Sequence, residues 1–218
     1  MSSQLDHSAI ELANLAYYDV NAAQYAESTF QIDLSHLYEP FLSLLTRGAR
    51  ILDVGCGGGR DLKAFRERGF KPIGIEPSIA LAEIARTHSG VEVNVTKVEA
   101  IEFEEEFDAV WACASLLHLP RTELPEALRR IKRSLIPDGV FFLSVQSGTG
   151  EEFLDDGRFY TYYTDAAIRL SVSSIGFDIL KSWKTADSSP SRARISWSNL
   201  LAKRASSITD GIALSTIL

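Results

Sequence analysis

The sequence predicts an α/β fold in which a mostly parallel sheet is covered by helices, and three features carry that prediction. Strands are predicted at Arg50–Val54, Lys71–Glu76 and Val140–Val145 among others, and several such segments are continuous apolar runs of the kind buried on both faces. Stretches with helical spacing of apolar residues alternate with those runs, the pattern of strand–helix–strand units. The first run passes directly into the turn Gly55-Cys56-Gly57-Gly58-Gly59 and then into a helix opening at Arg60-Asp61.

About fifty residues precede the first strand, with helical patterns over His7–Ala26 and Leu34–Leu45. After the strand Arg50–Val54 come a helix over Arg60–Arg68, the strand Lys71–Glu76, a helix over Ser78–His88 and a strand over Val91–Val98. The next strand is expected at Asp108–Ala112. The clearest helix follows at Glu123–Leu135, with Leu124, Ala127, Leu128, Ile131 and Leu135 on one face, Thr122 as candidate N-cap, and Pro137 and Gly139 to stop it. Beyond Val140–Val145, a helix is expected at Thr164–Ser174, ended by Gly176. Strands at Phe177–Ala186 and Ile195–Lys203 flank the polar stretch Asp187–Ser191. Residues Ala205–Leu218 lack a strong period and read as a tail.

At 218 residues with 45% hydrophobic and 23% charged content, the chain is long enough for one domain with a sizeable core. The organisation expected is a helical cap over 1–48 belonging to the same domain, a core over 49–204 and the tail over 205–218. With no run of eighteen apolar residues and no charged-then-apolar leader, no membrane association and a cytoplasmic location are expected. The two cysteines make neither a disulfide framework nor a metal spacing. A net charge of −7 makes nucleic acid an unlikely partner, since binding it usually needs a basic face. The basic clusters Arg129-Arg130-Lys132-Arg133 and Arg192, Arg194, Lys203, Arg204 are the exceptions, the first reading as a solvated helix face.

The glycine turn is a cofactor cradle. Glycines let backbone approach a ligand closely and adopt positive φ, and the helix that follows offers unpaired N–H groups. Glu76, closing the second strand, places a carboxylate at the same crevice, suited to a ribose diol. The spacing is wrong for a dinucleotide. A G-x-G-x-x-G count from Gly55 ends on Arg60, and one from Gly57 ends on Leu62. Asp53 adds negative charge that suits a cationic ligand better than a pyrophosphate, and S-adenosylmethionine carries a sulfonium and an ammonium.

Asp53-Val54-Gly55-Cys56-Gly57-Gly58-Gly59 resembles the D-x-G-x-G-x-G closing the first strand of class I S-adenosylmethionine-dependent methyltransferases. The segments Glu104–Pro120 and Leu135–Val140 are similar to that family's fourth strand and its turn into the fifth, and the closest likeness is to small bacterial tellurite-resistance-like members. The resemblance implies a Rossmann-like, doubly wound, seven-stranded sheet with a C-terminal antiparallel hairpin, and a helical cap that shapes the substrate pocket. It implies cofactor contacts by the backbone of Gly55, Cys56 and Gly57, with Cys56 packing and not reacting. Asp53 would orient the ammonium and Glu76 the ribose hydroxyls, with Pro77 and Ser78 lining the adenine side. Glu99, with Ala100, would take the adenine amine, and Cys113 and Ala114 would give further contact. Arg60 is placed for the methionine carboxylate, with a salt bridge to Asp61 or Glu67 as its competing role. Tyr18 and Tyr25 are expected at the cofactor's methionine end or the substrate, with helix packing as the alternative.

Catalysis needs less than binding, because the methyl is already activated and in-line positioning supplies much of the acceleration. His118, with Ser115, is expected at the reaction chamber as the candidate base, a loop hydrogen bond being its other role. Arg158, Trp197 and Asn199 are pocket candidates, and an arginine there favours an anionic acceptor. The N/D-P-P-Y/F motif of amino methyltransferases is replaced by Ala112-Cys113-Ala114-Ser115. Where relatives carry a lysine and an aromatic after the fifth strand, this chain has Gln146-Ser147-Gly148. The expectation is a methyltransferase for a small-molecule acceptor. A methyltransferase for RNA or a protein, and a cofactor-binding protein without turnover, are the alternatives.

Overall fold

The computed structural model describes residues 7–187 and 194–205. Helices α1 (His7–Phe30) and α2 (Ser35–Leu42) precede β1 (Arg50–Val54), α3 (Arg60–Glu67), β2 (Lys71–Ile75), α4 (Ile79–Ser89) and β3 (Val93–Asn94). The chain continues through β4 (Phe107–Cys113), α5 (Leu124–Ser134), β5 (Leu135–Gln146), β6 (Glu151–Phe153), β7 (Phe159–Thr161), α6 (Asp165–Ser174), β8 (Phe177–Ala186) and β9 (Ser196–Arg204). Seven strands form one sheet in the order β3-β2-β1-β4-β5-β9-β8. The first five in that order are parallel, and β9 lies antiparallel between β5 and β8. This is the Rossmann-like, doubly wound sheet with a C-terminal antiparallel pair that the sequence resemblance implies.

Successive residues of a strand point to opposite faces, and the core divides accordingly. Leu52, Val110, Phe141 and Leu143 face α5 and α6, packing on Leu128, Ile131, Ile168 and Val172. Ile51, Ala109, Trp111 and Phe142 face the other way, onto Phe41 of α2 and Phe65 of α3. Fully burying each such side chain contributes about 1.5–3 kcal/mol, which is why these strands read as unbroken apolar runs.

Four expectations change. Pro137 and Gly139 do not stop α5, which gives way to β5 at Leu135 and leaves both residues inside that strand. The strand foreseen over Val91–Val98 shrinks to Val93–Asn94, because its only neighbour, β2, ends at Ile75. The chain then turns through a 3-10 segment, Val98–Ala100. Thr122 does not cap α5. Glu123 stands at the N-cap without a side-chain hydrogen bond, and Pro125 occupies the first turn. The hairpin β6–β7, unforeseen in the sequence, rises between β5 and α6. Residues 206–218 of the tail, and 188–193 with Arg192, lie outside the described residues.

Thr164 caps α6 by accepting from the Ala167 N–H at 3.2 Å. Thr164→Ala is expected to lower stability by about 1 kcal/mol, read as a shift in urea midpoint at unchanged m-value. No change would show that the cap is replaced by water.

Candidate functional site

Strand order reverses between β1 and β4, which opens a crevice at their C-terminal ends, where doubly wound sheets bind ligands. The turn after β1 is shaped by glycine. Gly55 has φ +69°, and a Cβ there would lie 2.5 Å from Cβ of Ser115. The N–H groups of Gly55 and Cys56 donate to the Ile75 carbonyl at 2.9 and 3.0 Å, tying the turn to the end of β2. The Cys56 side chain is buried with Leu62, Ala82, Ala85 and Val93, a packing position.

Glu76 stands buried at the centre of this turn. One carboxylate oxygen accepts from the Gly57 N–H at 2.9 Å and the other from the Ser78 N–H at 3.0 Å. Each oxygen keeps a lone pair for a further donor. Burial outweighs these two bonds and pushes the Glu76 carboxyl up to about 7. Its contribution to the stability of the free protein is therefore complete below pH 4.5 and lost as pH rises through 7. A ligand that donates hydroxyl groups to this carboxylate would favour its charged form and lower that value. Ligand binding near pH 6 is expected to release protons, and affinity to rise from pH 5.5 to 7.5. Titration calorimetry in two buffers of different ionisation enthalpy reads the release directly; identical heats in both would refute it.

Two buried polar atoms beside the turn have no partner, Oδ2 of Asp53 and Oγ of Ser115. Burial, and then the Asp61 carboxylate, hold the Asp53 carboxyl well above the usual carboxylate range. Orphaned buried acceptors of this kind are expensive unless a ligand satisfies them. An ammonium beside Asp53 and a diol beside Glu76 fit the residues present, so the cradle suits S-adenosylmethionine.

Arg60 is paired with Asp61 in this structure, the salt bridge foreseen as its other role. Its Nε and one Nη donate to Asp61 at 2.6 and 3.0 Å, and Asp61 also accepts from the Tyr38 hydroxyl at 2.5 Å and the Trp111 indole at 2.9 Å. Burial disfavours the Asp61 charge, yet the Arg60 guanidinium holds its carboxyl below the usual range.

The opposite wall comes from α1 and the segments after β4 and β6. His118 Nδ1 lies 3.0 Å from the Phe159 carbonyl, which only accepts, so Nδ1 carries the proton. Nε2 is then the acceptor for the Tyr18 hydroxyl, 2.7 Å away. Burial brings the His118 imidazole down to about 4, so it is neutral near pH 7. Tyr25 packs edge-on to Tyr18, and burial raises its phenol to about 12. Arg158 binds Asp156 through Nε and one Nη, donates through the other Nη to the Tyr160 hydroxyl at 3.0 Å, and lies over the Tyr17 ring at 4.4 Å.

Two adjoining cavities result. The larger, ≈ 420 Å³, is lined by Glu76, Pro77, Ser78, Glu99, Ala100 and His118, among others. The smaller, ≈ 160 Å³, is lined by Cys56, Arg60, Cys113, Arg158, Tyr160 and Trp197. Tyr18, Tyr25, Gly55, Gly57 and Ala114 line both and mark the junction. Asp53 is 2% exposed beneath the turn and lines neither cavity. Asn199 lines neither of these two cavities; it accepts from Ser144 and donates to Thr185 inside the sheet.

The sequence reading missed Asn14, Asp19 and Tyr160. Asn14 donates to the His118 carbonyl and accepts from the Phe159 N–H, and Asp19 accepts from the Ser78 hydroxyl at 2.5 Å. Polar residues inside a helix carry no local signal of such distant partners. Among the described residues no group of three or more His, Cys, Asp or Glu is placed to hold a metal ion, and no helix is long and apolar enough to cross a membrane.

A family model described as a methyltransferase domain matches residues 25–182. The chain is 38% identical over 114 residues to a ubiquinone biosynthesis O-methyltransferase of Xanthomonas campestris pv. campestris (strain B100), a match covering 49% of this chain and 46% of that protein. The chain thus spans about half the length of the curated relatives it matches. Its fold is similar to the crystal structure of Burkholderia thailandensis 1,6-didemethyltoxoflavin-N1-methyltransferase, at TM-score 0.80 and 19% identity over 94% of this chain and 93% of the other. A TehB-like S-adenosylmethionine-dependent methyltransferase from Corynebacterium glutamicum ATCC 13032 Kitasato aligns at TM-score 0.67 and 17% identity, over 88% of this chain and 100% of the other.

Proposed function

The chain belongs to the methyltransferase domain family, and from that premise we propose that it transfers a methyl group from S-adenosylmethionine to a small-molecule acceptor. The carrying observation is the pair of cavities meeting at Tyr18, Tyr25, Gly55, Gly57 and Ala114, one backed by Glu76 and one by Arg158. The larger takes the cofactor. Glu76 holds the ribose diol, Asp53 the ammonium, and Pro77, Ser78, Glu99 and Ala100 flank the adenine. Bound there, S-adenosylmethionine supplies an activated methyl on its sulfonium. The chain's own residues orient the acceptor in the smaller cavity and exclude water at the junction, which makes proximity the main source of acceleration.

The relatives' printed names, an O-methyltransferase and an N-methyltransferase of small molecules, support the same class of acceptor. Calorimetric titration with S-adenosylmethionine and S-adenosylhomocysteine, with NAD as control, tests the cofactor. Micromolar binding of the first two and none of NAD is expected; no binding of either removes the catalytic reading. Methyl transfer to a pooled metabolite extract and not to RNA then tests the acceptor class.

A further inference from the structure

We propose that the smaller cavity holds a single-ring acceptor that arrives already ionised, its anionic group met by the N–H donors of Arg158. This rests on the methyltransferase reading above. The first argument is size. The cavity measures ≈ 160 Å³, and an apolar-lined cavity of about 150 Å³ is known to accept one benzene ring. Its lining includes Tyr18, Tyr25, Tyr160 and Trp197, aromatic side chains of the kind that pack on a planar ring.

The second argument is the direction of the hydrogen bonds. A base that removes the acceptor's proton has to reach it with a free lone pair at the junction of the cavities. His118 reaches the junction only through the Tyr18 hydroxyl. Its Nδ1–H is committed to the Phe159 carbonyl and its Nε2 to the Tyr18 hydroxyl, so Tyr18 stands between the imidazole and the junction. Burial keeps that imidazole neutral and weakly basic and makes both junction phenols, Tyr18 and Tyr25, harder to ionise. The other titratable groups lining the smaller cavity are placed elsewhere. Asp61 is held by Arg60, Tyr38 and Trp111, Asp187 accepts from the Trp197 indole, the Tyr160 hydroxyl accepts from Arg158, the Cys56 and Cys113 thiols are pushed up by burial, and His36 is exposed. Arg158 is different. Of its five N–H donors Asp156 and Tyr160 engage three and the Tyr18 hydroxyl lies against a fourth, which leaves one for a ligand, and its stacking on Tyr17 and Tyr160 fixes the guanidinium plane.

With an ionised acceptor the transfer balances without a protein base. The bond from methyl carbon to the acceptor's anionic atom forms as the methyl–sulfur bond breaks, and that electron pair returns to sulfur. One negative and one positive charge disappear together, and no proton moves. His118 is then a positioning residue that fixes the Tyr18 hydroxyl, and the pH dependence of turnover follows the acceptor's ionisation.

The test is binding of ring probes at pH 8, to the free protein and to protein saturated with S-adenosylhomocysteine. Benzoate and 4-nitrophenolate are compared with the neutral benzamide and 4-nitroaniline. The anions are expected to bind at least tenfold more tightly than their neutral counterparts, and Arg158→Met to reduce that preference to within twofold, with Arg158→Lys intermediate. Equal binding of anions and neutral rings, or no binding of either, overturns the proposal even if the variants fail to fold, since that comparison uses the unaltered protein. Failure of S-adenosylhomocysteine itself to bind would instead count against the methyltransferase reading, while the titration of free protein still reads the cavity.

Discussion

Replacing Trp111 by alanine is expected to lower the free energy of unfolding by about 3–5 kcal/mol, the usual cost of deleting a large buried aromatic. Trp111 is fully buried, stacked on Phe142 with ring centroids 3.9 Å apart and surrounded by Tyr38, Phe41 and Phe65. Its indole also donates to Asp61, so the loss goes beyond packing. Trp111→Phe keeps one ring of the contact and deletes the donor together with the second ring's volume, so a loss of about 2–4 kcal/mol is expected. Urea unfolding of both variants separates the two contributions. A loss under 1 kcal/mol for alanine would mean that the aromatic layer collapses onto the vacancy.

Glu76→Ala is expected to weaken binding of S-adenosylmethionine by about 1.5–3 kcal/mol, roughly 10- to 150-fold. The effect has two parts. The ribose loses a charged acceptor, and the N–H groups of Gly57 and Ser78 lose the carboxylate that fixes the turn. Glu76→Gln retains the size but presents an amide N–H₂ to one of those donors, so it is expected to bind almost as weakly as the alanine variant. Calorimetry on both, with near-UV dichroism to confirm folding, measures the losses. Unchanged affinity in a folded variant would remove Glu76 from the ribose site.

What could be read beforehand follows a physical divide. β1, β2, β4 and the core of β5 announced themselves because a strand buried on both faces has almost no choice but to be apolar. The glycine turn and the acid at Glu76 were legible because backbone geometry and a fixed spacing leave a local imprint. Arg60 and Asp61, adjacent in sequence, could be paired on paper as one of two roles. The hairpin β6–β7 could not be read. Its strands are three residues each, Glu151–Phe153 is exposed, and the hairpin is anchored from outside by Asn14 on Phe159 and by Thr161 Oγ1 donating to the Leu119 carbonyl. β3 was overestimated for the converse reason, since a suitable sequence needs a neighbour with free backbone groups to pair with. Asn14, Asp19 and Tyr160 depend on partners that only the folded chain brings near.

The position of β9 bears on how the protein is made. It is the last strand of the sheet to be synthesised, yet it sits between β5 and β8 and hydrogen-bonds to both. Until Ser196–Arg204 leaves the ribosome, β5 exposes an unpaired edge whose residues Val140–Gln146 are all buried in the finished sheet. A growing chain held at that stage presents a long apolar edge of the kind that recruits other strands. Nascent chains stalled short of β9 are therefore expected to associate with a chaperone or with one another, and chains stalled beyond it to lose that association.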